Sequence, residues 1–304
     1  MAQSQSKNIL ITGASGMIGS ALVEHLSKSG FAVHQLSRCS RDVPFYFDAG
    51  QGRVHLDQSI PLLAVINLAG PSIADKRWSE SRKREILDSR QRLTHALATA
   101  LAGLDTKPET FLSASAIGFY GETGESSVDE NSPVGGDFLA EVAQAWEGAT
   151  APAEVAGINT IHLRFGIVLS PRGGVLKKLL LPFKLGLGGR IGNGKQGMSW
   201  ISIADVVQVI HKLISDNPES GPINLVAQQP ISNLDFTANL AYALHRPNFV
   251  PLPGFMVKLL LGEMGEALLL GSSRVTSRKL AQLGIQLEYP SLPSALTALL
   301  HPKF

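Results

Sequence analysis

Cysteine is nearly absent: Cys39 is the single one in 304 residues. One thiol closes no internal disulfide and builds no cysteine metal site. A reducing, cytoplasmic setting is the expectation. Charge is sparse as well. Lys, Arg, Asp and Glu make up 17% of the chain, and the formal net charge is +2. The longest basic stretch, KRWSESRKRE at 76–85, is broken by Glu80 and Glu85 and reads as a solvated helix face. Aromatics stand at 6% and never interleave with a basic run, so nothing points to nucleic acid. The eight histidines are scattered without metal-ligand spacing, and no metal is expected. Long apolar runs are missing too. The greasiest late stretch, FMVKLLLGEMGEALLL at 255–270, carries Lys258, Glu263 and Glu266. It is too short and too charged for a bilayer that needs about 20 apolar residues. The opening MAQSQSKN has no apolar core, so neither a secretory signal nor a membrane partner is expected.

What is present is apolar bulk, 44% of residues, with a recurring rhythm. NILIT (8–12) is a short β-branched run of the kind that forms a buried strand. MIGSALVEHLSKSG (17–30) shows helical spacing, with Gly30 as a stop. Further strands are expected over 31–38, 64–70, 109–116 and 159–169, and helices over about 79–102 and 138–150. This alternation predicts an α/β fold: a doubly wound parallel sheet covered on both faces. After Leu169 the texture turns rich in Gly and basic residues, returns to strand and helix at 198–214, and ends in a helical tail from about 228. The expected division is a nucleotide-binding unit over 1–170 plus about 198–216. A smaller, discontinuous lid would cover about 171–197 and 217–304.

LITGASGMIG (10–19) sets three glycines three apart between the first strand and the first helix. Such a turn lets a pyrophosphate approach the main-chain amides and positive dipole of a helix N-terminus. Gly13 would make the turn, Gly16 the close approach and Gly19 the packing of helix on strand. The spacing is G-x-x-G-x-x-G rather than G-x-G-x-x-G, so the strand-before, helix-after context carries the reading. The second strand ends LSRCSRD, with Ser37 and Arg38 where an acid would hold a free ribose, and Arg41 nearby. A guanidinium suits a 2′-phosphate, which favours NADP(H) over NAD; Asp42 is the alternative ribose acid.

These glycines, with NLAG (67–70), SASAIGFYG (113–121) and LRFGIVLSP (163–171), resemble the extended short-chain dehydrogenase/reductase family, which includes the sugar-nucleotide epimerases and dehydratases. RWSESRKREILDSRQRLT (77–94), FLAEVAQAWE (138–147) and GNGKQGMSWISIADV (192–206) are similar to a subfamily labelled epimerase-family proteins of unestablished substrate. The resemblance covers essentially the whole chain. It implies a Rossmann fold, bound NADP(H) and a substrate lid. The implied cofactor contacts are Gly13, Ser15, Gly16, Met17, Ile18, Gly19, Ser37, Arg38, Asn67, Leu68, Ala69, Gly70 and Arg164.

That family normally works with a Tyr general acid/base and a Lys four residues later, because a phenol near pKa 10 needs positive charge nearby at neutral pH. Ser115 fits the family's Ser. The Tyr place falls within Phe138–Ala140 and the Lys place within Val142–Gln144, and neither residue is there. The long helix also shows Ser89–Arg90 where the family carries an Asn. Tyr120 is the alternative hydroxyl, its competing role being an aromatic that shields the turn. Trp146 is expected to pack. Arg77, Glu147, Arg172, Gln196 and Trp200 are the candidate substrate contacts, with Lys76, Glu141, Lys195 and Ser199 near them. Two functions follow. One is an oxidoreductase or epimerase with a rebuilt acid/base set, acting on a small polar molecule. The other is an NADP(H)-binding sensor with little chemistry, in keeping with subfamily labels that mention cell or plastid division. Monomer and homodimer are both open.

Overall fold

The computed structural model describes residues 7–38 and 42–301; Cys39 and Arg41 lie outside them. In chain order the elements are β1 (Asn8–Thr12), α1 (Met17–Lys28), β2 (Ala32–Gln35), β3 (Phe45–Asp48), β4 (Arg53–Leu56), β5 (Leu62–Asn67), α2 (Glu80–Ala102) and β6 (Thr110–Ala116). There follow α3 (Phe138–Gly148), α4 (Ala151–Val155), β7 (Asn159–Phe165), β8 (Ile167–Leu169), α5 (Gly174–Lys184), β9 (Gly197–Met198), β10 (Trp200–Ser202) and α6 (Ile203–Asp216). The chain closes with β11 (Gly221–Leu225), β12 (Ile231–Ser232), α7 (Asn233–Ala243), α8 (Gly254–Gly265), α9 (Arg278–Gln282) and α10 (Leu292–Leu300).

Six strands form one parallel sheet in the order β11-β7-β6-β5-β1-β2. The order reverses at β1, so a crevice opens there beyond the carboxyl ends of the strands, where open α/β sheets bind ligands. The strands are apolar because both faces are covered. Ile9, Ile11, Leu22, Leu26, Ile66 and Ile210 are fully buried on the side of α1 and α6, and Leu10, Val65, Leu97, Leu101 and Phe111 on the side of α2. Each such side chain contributes roughly 1.5–3 kcal/mol of burial. The β3–β4 hairpin, absent from the sequence expectation, continues the β2 edge through a bridge between Ser37 and Tyr46.

The expected strand over 159–169 is two strands. At Gly166 the chain leaves the main sheet, and β8 pairs with β10 instead. A Cβ at Gly166 would sit 2.8 Å from the Ser199 carbonyl oxygen, so only glycine allows that crossing. The boundary expected at 217 also moves. Residues 221–225 belong to the main sheet as β11, beside β7. Leu280, Leu283, Ile285 and Leu287 return to pack on the sheet's core. A separate core forms around Leu176, Phe183, Trp200, Phe236, Leu240 and Leu296.

Candidate functional site

The glycine turn sits at the order reversal. Gly13 has φ +69°, and a Cβ there would lie 2.8 Å from the Leu68 carbonyl. A Cβ on Gly19 would lie 2.2 Å from Gly13 O. Both positions therefore demand glycine, for the turn and for the approach of α1 to it. Gly16 is exposed and meets only Gly13 O, at 3.2 Å. The helices α2, α3 and α6 are capped by Ser79, Asp137 and Ser202. The N-terminus of α1 has no side-chain cap and no acid in its first turn. Its first amides and its positive dipole end are left for an anion. A cleft of about 300 Å³ opens beside them, lined by Ser15, Gly16, Met17, Ser20 and Arg172 among others. Arg172 reaches Glu24 at 3.9 Å, so the structure brings this residue to the glycine turn rather than to Ser115.

The loop after β5 faces the same crevice. Leu68 N and Ala69 N donate to Thr12 Oγ1 at 3.1 and 3.2 Å, and Thr12 Oγ1 donates to Asn67 Oδ1 at 2.7 Å. Asn67 is fully buried, with its amide on Thr94 and Ser113. Its side chain holds the loop from below; Ala69 packs toward the α2-side core, and Gly70 lies against the Arg90 guanidinium. Cationic and indole donors then take the next four carbonyls. Arg90 donates to Pro71 O at 2.8 Å, Arg82 to Ser72 O, Trp78 to Ile73 O at 2.8 Å and Lys178 to Ala74 O at 3.1 Å. The basic 76–85 stretch is therefore not all solvated: Arg82 turns inward, as does Arg90 one stripe further along α2. Burial, with the nearby Arg82 charge, lowers the Arg90 guanidinium to about 10. Its carbon lies 4.9 Å from the Trp146 ring.

Beyond β6 the Tyr place is an aromatic box. The Phe138 ring meets Trp78 edge-on at 5.0 Å, with Lys83 Nζ 5.3 Å from its centre. Lys83 pairs with Glu263 of α8 at 2.6 Å, and Arg77 lies against Gly262, so the lid touches α2 here. At the Lys place Val142 and Ala143 are buried and Gln144 is exposed.

Ser115 joins a buried polar line. Its Oγ donates to Glu147 Oε1 at 2.6 Å, and Arg164 grips both oxygens of that carboxylate at 2.7 and 2.8 Å. Arg164 also donates to the Tyr120 hydroxyl at 2.8 Å, which donates to Asn224 Oδ1 at 2.8 Å. The Arg164 guanidinium stacks 3.5 Å from the Phe119 ring centre. Tyr120 is 5% exposed, and burial pushes its phenol up despite the Arg164 charge. Its oxygen faces β7 and β11, not open space. Two candidate substrate contacts are also interior. Gln196 gives its amide to Ile191 O and Leu269 O, and Trp200 is 1% exposed in the lid core. Neither lines the cleft beside the glycine turn. Ser199 likewise turns inward, between Ser273 O and Val275 O. Arg38 is exposed three residues past β2, next to the Ser37–Tyr46 bridge. Met17 packs on Gly173 and Ile18 on the sheet core, leaving the turn's backbone as its open part.

Sequence reasoning missed Thr12, Thr94, Asn224 and His162, all polar residues inside buried elements. Burial of a polar side chain inside an apolar run was the available signal, since such a group needs a partner. Among the described residues no cluster of three or more His, Cys, Asp or Glu could hold a metal, and no helix is long and apolar enough to cross a membrane.

A parallel sheet with a glycine turn at its order reversal defines a nucleotide-binding α/β protein of the Rossmann type. The model of the NAD dependent epimerase/dehydratase family matches residues 9–226, and a domain of unknown function, DUF1731, matches 252–299. The chain belongs to that epimerase/dehydratase family. It is 39% identical to the epimerase family protein ML0860 of Mycobacterium leprae, over 98% of this chain and 97% of that one. It is 35% identical to the epimerase family protein YfhF of Bacillus subtilis, over 96% and 98%. Among solved structures, human epimerase family protein SDR39U1 (isoform 2) with NADPH superposes with a TM-score of 0.88 at 30% identity, over 97% of this chain and all of that one. A nucleoside-diphosphate sugar epimerase from Corynebacterium glutamicum gives 0.76 at 32% identity, over 96% of this chain and 58% of that one.

Proposed function

We propose that this protein binds NADP(H) across the crevice at β1 and moves hydride between its nicotinamide and a small polar substrate held at Ser115. The observation that carries the reading is the uncapped α1 N-terminus behind Gly13 and Gly16, with Arg38 exposed three residues past β2. The residues fit the group. The amides after Gly13 would take the pyrophosphate, Arg38 the 2′-phosphate, and Ala69 and Gly70 the ribose side. That the human SDR39U1 structure was solved with NADPH supports the same choice. The bound nicotinamide supplies the hydride chemistry; the chain's work is to place the substrate and manage its proton. Ser115 is the hydroxyl for that oxygen, held by Glu147. Arg172 supports an anionic group near the turn, and Arg77 one near the lid contact.

A second reading, a sensor that binds NADP(H) without turnover, is favoured by one observation: the Tyr place is filled by Phe138 inside an aromatic box. Titration with NADPH, followed by a panel of nucleotide sugars, ketones and quinones monitored by absorbance, separates the two. Turnover lost in Ser115→Ala supports the first, and tight binding with no turnover supports the second. Arg38→Ala should weaken NADPH at least tenfold and leave NADH within about twofold. Equal weakening of both would remove the 2′-phosphate assignment.

A further inference from the structure

Beyond β8 the chain turns several of its largest apolar residues outward. Among the described residues eight large apolar side chains are at least 60% exposed, and six of them fall in two short stretches: Leu181, Leu185 and Leu187, then Phe249, Phe255 and Leu259. The two stretches run side by side. Arg246 Nε donates to Lys184 O at 2.9 Å, Gly189 bridges Phe249, and Leu252 N donates to Arg190 O at 2.9 Å. A Cβ at Gly189 would lie 2.2 Å from Val250 O, so only glycine lets them meet. Helix α8 starts at Gly254, where that pairing ends. It carries Phe255 and Leu259 on its exposed side, while Val257 and Met264 turn inward. An exposed apolar face of this kind marks a contact with something apolar.

The same region carries charge of one sign. Residues 171–202 and 236–262 contain eight Lys or Arg and no Asp or Glu. Arg172 lies at Glu24, Lys258 at Glu266, and Lys178 donates to Ala74 O. Lys177, Lys184, Arg190 and Arg246 stand exposed around the apolar side chains. The next acid along α8, Glu263, is paired with Lys83. We propose that this face docks on the surface of an anionic lipid bilayer. The Leu and Phe side chains enter the boundary between headgroups and acyl chains, and the cations meet the lipid phosphates. Lying on a bilayer sets no minimum length on a helix, so the lack of a spanning helix among the described residues does not bear on it. None of these side chains lines the cleft at the glycine turn, and the docking needs neither coenzyme nor turnover.

Charge and shape favour a bilayer over other occupants. A second copy of this chain, related by a two-fold axis, would set a surface rich in Lys and Arg against itself, and like charges across an interface repel. A helical partner needs an apolar groove to lie in. Here the side chains stand out of the surface instead, Phe249 at 77% and Phe255 at 71% exposed. Protruding aliphatic and aromatic groups enter a fluid medium without matched pockets. The Lys and Arg stems cover apolar surface while their charged ends stay at headgroup level. Each cation near an anionic leaflet strengthens binding about fivefold, and salt screens that gain.

The test is co-sedimentation of the full chain with vesicles of equal parts phosphatidylglycerol and phosphatidylcholine, and with vesicles of phosphatidylcholine alone. Wild type should bind the anionic vesicles at least about tenfold more tightly, and added salt should erode that preference. Phe255→Glu combined with Leu259→Glu should weaken binding at least about tenfold, and Leu185→Ser about threefold or more. Lys184→Glu should weaken it about fivefold or more. These side chains are exposed, and unchanged melting midpoints confirm that each variant keeps the fold. Arg92→Glu makes the same charge change at an exposed site on α2 and should leave binding within about twofold. No binding to the anionic vesicles overturns the proposal. So does binding that survives the Phe255 and Leu259 changes, or that Arg92→Glu weakens as much as Lys184→Glu. A dimer in sedimentation velocity that Phe255→Glu dissolves gives the face to a second copy and overturns it. Tighter binding to a soluble acidic amphipathic peptide than to the vesicles gives it to a protein and overturns it as well.

Discussion

Tyr120 shows how a single hydroxyl is committed by its surroundings. It accepts from Arg164 and donates to Asn224, whose own amide reaches Thr276 O at 2.8 Å and whose backbone N–H donates to buried Glu130 at 3.0 Å. Removing that oxygen strands a guanidinium N–H and an amide oxygen inside the protein. The cost of such orphans is about 1–3 kcal/mol. Tyr120→Phe should therefore lower the melting midpoint by several degrees while NADPH affinity stays within twofold. Calorimetry and fluorescence titration check the pair. A variant as stable as wild type but unable to turn over substrate would instead make the Tyr120 hydroxyl part of the chemistry. The Ser115 position was legible because a family pattern carries it there. The partners of Ser115 were not, because Glu147 and Arg164 lie 32 and 49 residues along the chain and meet only through packing.

At the scale of elements, α1 and α6 pack side by side on one face of the sheet. Their contact includes two imidazoles, with His25 Nε2 2.9 Å from His211 Nδ1 and their rings edge-on at 5.0 Å. Burial first, then the His211 charge, lowers the His25 pKa. The folded state thus binds fewer protons than the unfolded one below the ordinary histidine range. Stability is full above about pH 6.5 and falls as acid protonates the unfolded chain. His162 has the same sign. The melting midpoint should decline between about pH 6.5 and 5, and His25→Gln should decline less; equal slopes would assign the loss elsewhere. Strand and helix rhythm made most of these elements readable, α2 to within a residue. The hairpin at 45–56 escaped because each arm is four residues long, too short for alternation to register. Arg82 and Arg90 escaped because charge suggests solvent until a loop with bare carbonyls is known to lie beneath it.

For the whole molecule, sheet and lid interlock. The chain leaves the sheet at Gly166, returns as β11, leaves again, and comes back at Leu280. The boundary expected at 217 failed for that reason: GPINL is one short run among Pro and Gly, and only its pairing with β7 identifies it. Interlocking predicts one melting transition. Trp146, beside Thr94 under the sheet, and Trp200, in the lid core, should report the same midpoint in single-tryptophan variants. NADPH at a hundred times its Kd should stabilise the fold by about 2.7 kcal/mol. Both probes should rise together; separate midpoints would mean that the lid melts alone.

Asn224 lies on the outermost strand, yet the Tyr120 hydroxyl and the Glu130 carboxylate both depend on it. During synthesis, then, the first 220 residues emerge with a phenol still lacking Asn224 and an acid still lacking Asn224, Ser277 and Arg278. The nascent sheet can add strands in order, but its polar interior stays open to water until β11 and then residues 276–278 dock. Commitment to the native state is thus deferred to two short stretches late in the chain, β11 and residues 276–278, and a lesion in either would stall maturation long after the ligand crevice had taken shape.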